Sequence, residues 1–420
     1  MQDKLPANIF SEIGDLEGVI VHSPGQEVEN MTPDNAERAL YSDILNLSVA
    51  NKEFSQFKGI LEKVTNTFEV KDLLANILKN DKVKQGLVEK ICQHEEAESI
   101  CSHLLTLDET TLAGALIEGV PVRKNTLTNY LNKERFALKP LHNFFFTRDA
   151  AISVYDNVFV GAMASPVRLR ESIIMEAIFD FHPMFSTRTV NLNTRDQLNP
   201  AISIEGGDVL IARDDVILCG IGSRTTPQGI DFLLHHLKKK NEKQHILVQE
   251  LPHTPESFIH LDMVFTLLDR DKCMIYEPII MKMNKYQTVH IYAEGGKVQF
   301  IREVQNLPQA LGKLGMDLQP VLCGGEHDQW QQEREQWHSG ANFFALGPGK
   351  VIGYARNIHT INAMEKAGFS VIRAHDVLKG GVDLKDYKKY VVTIEGSELP
   401  RGGGGARCMT MPVSRKALDI

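Results

Sequence analysis

The chain has 420 residues, of which 43% are hydrophobic and 24% are charged, and its formal net charge is −8. This length exceeds the ~250–300 residues that one simple core accommodates, so we expect two sub-domains or a ring of modules. The acidic balance and the lack of a long basic block argue against nucleic acid as the main partner. No apolar run approaches the ~20 residues that a membrane span requires.

The cysteines and the N-terminal segment indicate a cytoplasmic protein. The six cysteines are scattered and include no CxxC pair, which argues against a zinc site and against a disulfide scaffold. The first residues lack the charged segment and apolar stretch that form a secretory signal. We therefore expect reduced thiols and a cytoplasmic location.

The first third of the chain changes from a strand to helices. Residues 17–23 form a short apolar run that predicts a buried strand. Thr32 and Pro33 then begin a helical pattern, in which Thr32 is the cap and Pro33 the first helical residue. From residue 57 to residue 132, apolar residues recur at spacings of three and four between alternating charges, which predicts an inserted helical bundle.

After residue 139 the pattern changes to four strand–turn–strand pairs, each followed by a helix-like stretch. These pairs occupy residues 151–160, 209–218, 263–276 and 342–354. Every turn carries Asp, Asn, Gly or Pro, which tolerate the backbone angles of tight hairpins. Recurrence at roughly 55 to 80 residues indicates similar units arranged around an axis. We expect the strand at 390–394 to pair with residues 17–23 and close the ring.

Polar residues precede the hairpins at corresponding positions. Asp149 leads into the first hairpin, Glu205 and Asp208 into the second, and His260 and Asp262 into the third. In a ring of repeated units these entry points converge near the axis. One histidine and several carboxylates would then share one pocket.

Two of these segments also have simpler interpretations. The alternation across residues 259–262 predicts a strand with His260 and Asp262 on one face, and the alternative is a solvated pair at a sheet edge. Asp208 is typical of a turn residue that bonds nearby backbone, so we assign the more active role to Glu205.

Four consecutive glycines, residues 402–405, precede Cys408 near the end of the chain. Glycine lets the backbone adopt positive φ and lets other groups approach closely. One interpretation is a flexible tail with an incidental cysteine. The other is a loop that folds over a small ligand and presents Cys408 as a nucleophile.

Together these motifs resemble the signature of the arginine deiminases, which are guanidino-modifying enzymes with a five-bladed pentein αβ-propeller. The similar segments run in order from about residue 11 to residue 412. They include Phe146-Thr147-Arg148-Asp149, Glu205-Gly206-Gly207-Asp208, His260-Leu261-Asp262 and Cys408-Met409-Thr410-Met411-Pro412.

The resemblance implies a fold and an activity. Residues 1–56 and 133–420 would form the α/β fold of a five-bladed pentein propeller, with residues 57–132 as the inserted α-helical domain. The implied reaction is hydrolysis of L-arginine to L-citrulline and ammonia in arginine catabolism. It needs no metal and no organic cofactor.

The resemblance also implies a role for each catalytic residue. Asp149 and Asp262 clamp the guanidinium through paired, charge-assisted hydrogen bonds. Cys408 attacks the central carbon as a thiolate, and a bound cation and a protonated histidine lower its pKa. His260 protonates the departing ammonia and then activates the water that cleaves the intermediate. Glu205 orients the ring of His260 and favours its charged form.

The implied binding residues lie around this set. Arg168 and Arg224 match the family's positions for the substrate carboxylate, and Asn143 and Phe146 match residues that line the pocket. The chain departs from the family at Gly403, where many members carry arginine or another large residue. If that side chain holds the substrate carboxylate, its absence weakens binding or relaxes specificity.

Three other functions compete with this interpretation. A related guanidino hydrolase or amidinotransferase would act on agmatine or methylated arginines. Arg168 and Arg224 favour a substrate with a free carboxylate and so argue against agmatine, and the inserted helical segment favours arginine deiminase over the smaller relatives. A papain-like cysteine protease would place its cysteine near the start of the mature chain, in a secretory context. A non-catalytic pentein binding protein would have a broken catalytic set. The expected partners are L-arginine and further copies of the chain in a homo-oligomer, without nucleic acid or membrane.

Overall fold

The computed structural model describes residues 4–36, 43–187, 189–191, 202–240, 242–326 and 328–418, and their fold is mixed α/β. The strands are β1 (Leu16–Val21), β2 (Asn66–Glu69), β3 (Val120–Pro121), β4 (Phe136–Leu138), β5 (Ala151–Val154), β6 (Asn157–Val160), β7 (Thr189–Asn191), β8 (Val209–Arg213), β9 (Val216–Ile221), β10 (Lys243–Glu250), β11 (Phe265–Asp269), β12 (Lys272–Ile275), β13 (Thr288–Glu294), β14 (Lys297–Val304), β15 (Gln319–Leu322), β16 (Phe344–Gly347), β17 (Lys350–Tyr354), β18 (Ser370–Arg373), β19 (Tyr390–Ile394) and β20 (Met411–Arg415). The helices are α1 (Gln26–Glu29), α2 (Pro33–Ala36), α3 (Leu47–Val64), α4 (Val70–Ile77), α5 (Asp81–His94), α6 (Glu98–Leu105), α7 (Glu109–Glu118), α8 (Leu127–Leu131), α9 (Leu169–Phe181), α10 (Pro227–Lys240), α11 (Glu277–Ile280), α12 (Leu307–Lys313), α13 (Gln329–Trp337), α14 (Ile358–Lys366) and α15 (Ala374–Leu378). None of the helices in the described part of the chain combines the length and apolar character needed to cross a bilayer.

The four predicted hairpins are confirmed. β5 pairs antiparallel with β6, β8 with β9, β11 with β12, and β16 with β17. After each hairpin the chain passes through helix and returns as a strand parallel to the second hairpin strand; these returning strands are β7, β10, β15 and β19. Helical crossovers are required because a short turn cannot connect parallel strands. The sheets therefore repeat one pattern, and β13 and β14 extend the second of them.

The predicted pairing of residues 17–23 with residues 390–394 is wrong. β1 lies between β2 and β20, whereas β19 lies between β17 and β18. The partner of β1 is the strand that directly follows Cys408, where Met411 and Val413 are buried in the core. This pairing ties the Cys408 segment to the N-terminal strand of the chain.

The helical segment packs against the rest of the chain on two sides. Helices α4, α5 and α7 share a hydrophobic cluster with α9 and with strands β5 and β6. Helix α3 contributes Phe54, Phe57 and Ile60 to a different cluster, which also contains Cys408. The predicted boundary at residue 57 falls within α3, and the division of the chain into two domains stays a prediction.

Candidate active site

The segments that precede the hairpins meet at one cavity of about 500 Å³. Most of the predicted site residues line this cavity; they are Asn143, Phe146, Asp149, Arg168, Arg224, His260 and Cys408. The other two, Glu205 and Asp262, are fully buried directly behind the wall. The structure therefore brings together every residue that the sequence assigned to the site.

His260 is held between two carboxylates. Its Nε2 lies 2.9 Å from Oε2 of Glu205, and its Nδ1 lies 3.7 Å from Oδ1 of Asp149. Gly207 permits this placement, because a Cβ at that position would lie 2.5 Å from the imidazole ring. Burial lowers the pKa of His260, but the charge of Asp149 and the hydrogen bond with Glu205 outweigh it and raise the pKa from 6.5 to about 9. The ring is therefore protonated at neutral pH.

The predicted strand at residues 259–262 is wrong. Leu261–Met263 form a short 3₁₀ helix, and β11 begins only at Phe265. The Leu261 N–H donates to Oδ1 of Asp208, at 2.8 Å, so it is not available to a sheet. Asp208 thus bonds backbone as expected, but that backbone lies 53 residues away and not in its own turn. The irregular backbone lets His260 and Asp262 face different partners.

Cys408 lies against Asn342 and Asp262. The thiol Sγ is 3.2 Å from Nδ2 of Asn342 and 3.8 Å from Oδ2 of Asp262. Asn342 Oδ1 accepts hydrogen bonds from the backbone N–H groups of Arg407 and Cys408, at 2.8 and 3.2 Å. A Cβ at Gly405 would lie 2.6 Å from this Oδ1. The end of the glycine run is therefore needed for the loop to close around Asn342.

The surroundings of Cys408 keep its thiol protonated. Burial raises the pKa of Cys408 well above its usual range, and the charges of Asp262 and Asp149 raise it further. The sequence analysis required a bound cation to lower this pKa. A cation placed between these carboxylates would cancel the charges that hold the proton on sulfur.

A buried ion-pair chain fixes Asp262. Arg407 places Nη1 2.8 Å from Oδ2 of Asp262 and Nη2 3.0 Å from Oε1 of Glu12. Burial raises the pKa of Glu12, but the charges of Arg407 and Arg148 outweigh it and lower the pKa to about 2. Asp262 is thus held as one arm of a charged network, with its other oxygen, Oδ1, 3.9 Å from the Cys408 sulfur.

The two predicted carboxylate-binding arginines differ in how strongly they are engaged. Arg168 is buried and donates to Oδ2 of Asp149, at 2.7 Å, and to Glu171, at 2.8 Å. Arg224 lies 4.0 Å from Oε1 of Glu205 and has more of its side chain exposed to the cavity. Arg168 therefore carries a charge that the protein already compensates.

Three of these groups also form a set that could hold a metal ion. Asp149, Glu205 and His260 offer ligand atoms that lie within 4.8 Å of one another. Arg168 and Arg224 already face these two carboxylates, and the protonated His260 is a poor ligand because both its nitrogens carry hydrogen. The electrostatics favour an organic cation near the thiol over an ion in this position.

Glu12 and Asn342 position the thiol but were not assigned to the site from the sequence. Glu12 and Arg407 are 395 residues apart, so no local pattern could pair them. Asn342 had an available signal, because it precedes the fourth hairpin in the same way that Asp149 precedes the first. Chemically, the completed site places a nucleophile, a proton donor and two carboxylates around one small cavity.

Comparisons with known proteins match this chain to one family model and to two proteins of similar sequence. The family model described as arginine deiminase matches residues 37–415. A protein named arginine deiminase from Listeria innocua is 34% identical over 427 residues, which cover 97% of this chain and 98% of that protein. Its counterpart from Bacillus cereus strain B4264 is 33% identical, with 98% and 99% covered.

Solved structures with low sequence identity share the fold. SxtG, an amidinotransferase from Microseira wollei, superimposes with a TM-score of 0.55 at 15% identity and covers 98% of both chains. The N-terminal domain of ArgZ, an arginine dihydrolase from cyanobacteria, gives 0.53 at 12% identity, with 96% of this chain and 99% of that chain covered. At these identities the likeness concerns the fold alone.

Proposed function

The chain belongs to the arginine deiminase family, and we propose that its cavity hydrolyses L-arginine to L-citrulline and ammonia through a covalent intermediate on Cys408. One observation carries the proposal. A buried thiol, a protonated histidine and two carboxylates surround a cavity of about 500 Å³. This set suits attack on a resonance-stabilised cationic carbon, which water alone attacks slowly.

Asp149 and Asp262 bind the guanidinium of the substrate. A planar guanidinium presents N–H groups in fixed directions, and carboxylates can accept them in pairs. Both oxygens of Asp262 lie near the Cys408 sulfur, Oδ1 at 3.9 Å and Oδ2 at 3.8 Å, and Oδ1 is the one that Arg407 does not bond. The bound cation offsets the carboxylate charges that raise the thiol pKa, so binding itself favours the thiolate.

As the guanidinium binds, the Cys408 thiol releases its proton to solvent, and in the first half of the reaction the thiolate sulfur bonds to the central guanidinium carbon. The bond from that carbon to one terminal nitrogen then breaks, and this nitrogen leaves as ammonia with a proton from His260. Nδ1 of His260 is the donor, because Nε2 is bonded to Glu205 and Nδ1 has no hydrogen-bond partner among the described residues. The product of this half is an amidino-thioether on Cys408.

In the second half a water molecule replaces the sulfur. His260, now neutral, takes a proton from the water, whose oxygen bonds to the same carbon. The carbon–sulfur bond breaks, L-citrulline leaves, and the thiol and the imidazolium are restored. Glu205 keeps the ring in position through both halves, at 2.9 Å from Nε2.

Two arginines face the other end of the substrate, and two further residues line the passage that leads to it. Arg168 and Arg224 provide positive charge for its carboxylate, and Asn143 and Phe146 line the passage between the two ends. This reaction requires no metal and no organic cofactor, since Cys408 supplies the nucleophile and His260 exchanges the protons of the leaving ammonia and the attacking water.

The proposal predicts which substrate the protein uses. Purified protein should release L-citrulline and ammonia in equal amounts from L-arginine, and should show little activity with agmatine, which lacks the carboxylate, or with methylated arginines, whose methyl groups replace N–H donors to the site carboxylates. Loss of the carboxylate removes its ionic contact with the cavity arginines, which we expect to lower kcat/KM for agmatine by at least about 100-fold. A higher kcat/KM for agmatine or a methylated arginine would contradict the assignment and favour the related hydrolases.

We also propose that the repeated sheets are the five blades of a pentein propeller. The support is the shared order of strands, an antiparallel pair followed by a parallel third strand, in the sheets that begin at β5, β8, β11 and β16. The sheet of β20, β1 and β2 follows the same order across the chain ends. A crystal structure in which these sheets do not surround a common axis would contradict this arrangement.

We propose a cytoplasmic homo-oligomer. All six cysteines are free thiols, which suits a reducing compartment. The outer strand β14 supports self-association, because it is eight residues long, pairs only with β13 among the described residues, and exposes most of its side chains. Native proteins seldom leave such an edge uncovered. Edge-to-edge pairing of β14 with a second copy would cover it.

Light scattering tests the oligomer. The wild-type protein should have a multiple of the single-chain mass, and Ile301→Glu in β14 should shift it towards the monomer. Ile358→Glu is the matched control, because Ile358 lies on α14 and is exposed to the same extent, 61%. A monomeric wild type would overturn oligomerisation, and an unchanged Ile301→Glu mass would exclude β14 as the interface.

A further inference from the structure

The arginines that line the cavity are not equally paired with carboxylates. Arg168 bonds to Asp149 and Glu171, and Arg401 bonds to Asp43 and Glu398. Arg224 lies 4.0 Å from Glu205. Arg356 is different, since its one protein hydrogen bond within the described residues runs from Nη1 to the neutral carbonyl of Gly396, at 3.0 Å. No described carboxylate lies within 4.0 Å of it.

The surroundings of Arg356 leave its positive charge unbalanced. The side chain is half-buried, and burial together with the charge of Arg334 lowers its pKa. His338, which lines the same part of the cavity, has its pKa lowered to about 4 by burial and by the charges of Arg356 and Arg334. A histidine that resists protonation next to two arginines marks a region of positive potential with room for an anion.

The loop opposite contributes no competing side chain. Gly403 lines the cavity in the left-handed region, with φ at 87°, and a Cβ there would meet no atom within 4 Å. The space that a larger residue would occupy is therefore open. Among the four arginines that line the cavity, Arg356 is the one with no described carboxylate within 4.0 Å.

We propose that Arg356 binds the α-carboxylate of the substrate and makes the enzyme selective for it. This inference rests on the proposed function, because it assumes that L-arginine lies with its guanidinium at Cys408. Arg168 shares its charge with Asp149 and Glu171, and Arg224 faces Glu205 at 4.0 Å, so Arg356 acts in addition to these two arginines. Arg356 supplies the uncompensated positive charge that a carboxylate needs to replace its lost hydration.

Steady-state kinetics with two substrates test the proposal. Arg356→Ala should raise KM for L-arginine about 10- to 100-fold while kcat changes less than about threefold, because a charged hydrogen bond is lost far from the reacting carbon. For L-argininamide, which lacks the carboxylate charge, kcat/KM should be unchanged within about threefold. Arg356→Lys should recover part of the affinity for L-arginine, since lysine keeps the charge and loses the forked geometry.

A control variant and a direct measurement of binding complete the test. Arg334→Ala is the matched control, because Arg334 lies next to Arg356 but outside the cavity wall, and its KM should stay within about threefold of wild type. Calorimetric binding of L-arginine and L-argininamide to Cys408→Ala and to Cys408→Ala/Arg356→Ala measures affinity without turnover. Equal loss for both ligands, or loss for neither, would overturn the role of Arg356. A wild type without activity on L-arginine would instead overturn the proposed function.

Discussion

Replacing Cys408 with alanine or serine should lower citrulline formation from L-arginine by at least about 10⁴-fold. The thiol is buried against Asp262 and Asn342, and it is the nucleophile that faces the cavity. A serine hydroxyl has a much higher pKa than a thiol, so neutralising the carboxylates cannot ionise it. Both variants should still bind L-arginine, because Asp149 and Asp262 are intact.

A second cysteine variant controls for general damage. Cys101→Ser lies on helix α6, outside the cavity, and should keep full activity. Circular dichroism and thermal melting would establish that the Cys408 variants are folded. Residual activity of Cys408→Ser above about one-hundredth of wild type would assign the attack to a different group.

Replacing His260 with glutamine should lower kcat by about 10²- to 10⁴-fold. The expected cause is loss of the proton that converts the leaving nitrogen into ammonia. Because the folded-state pKa of His260 is raised to about 9, the ring carries this proton below that pH and loses it above. Wild-type kcat/KM should therefore fall as the pH rises through about 9, and the variant should lack this alkaline limb.

The Glu205→Gln variant tests whether the protonation of His260, and not only its packing, sets the pH dependence of the reaction. This change keeps the shape beside His260 and removes one negative charge that raises its pKa. The alkaline limb should then move to lower pH. His290→Gln serves as a control, since His290 is buried on strand β13 away from the cavity. An alkaline limb that stays in place in Glu205→Gln would show that His260 does not set it.

The sequence predicts where the strands and hairpins lie better than it predicts which distant strands pair. Runs of apolar residues with Asp, Asn, Gly or Pro turns identified all four hairpins, because local sequence decides such turns. The strand at Met411–Arg415 escaped notice, since it is short and contains a proline. Because that strand was not predicted, residues 390–394 were the last predicted strand of the chain and were assigned to pair with residues 17–23. Strand pairing over hundreds of residues depends on the whole packed core.

The prediction at His260 failed for a related reason. Four alternating residues fit a strand, but they fit a 3₁₀ turn equally well. The choice depends on Asp208, which accepts a hydrogen bond from the Leu261 N–H. A contact between residues 53 positions apart leaves no trace in the local pattern.

The identity of the site residues could be predicted from the sequence, but the shifts in their pKa values could not. Motif resemblance named Cys408, His260, Glu205, Asp149 and Asp262, and the structure places them around one cavity. The raised thiol pKa follows from burial between carboxylates, which only three-dimensional packing reveals.

Mass spectrometry can detect the proposed covalent intermediate on Cys408 directly. Wild-type protein would be mixed with saturating L-arginine, quenched in acid during turnover, and measured intact and after proteolysis. We expect an added mass equal to L-arginine minus ammonia, located on Cys408 and absent from Cys408→Ser. Citrulline formation with the adduct on another residue, or with no adduct at any quench time, would contradict it.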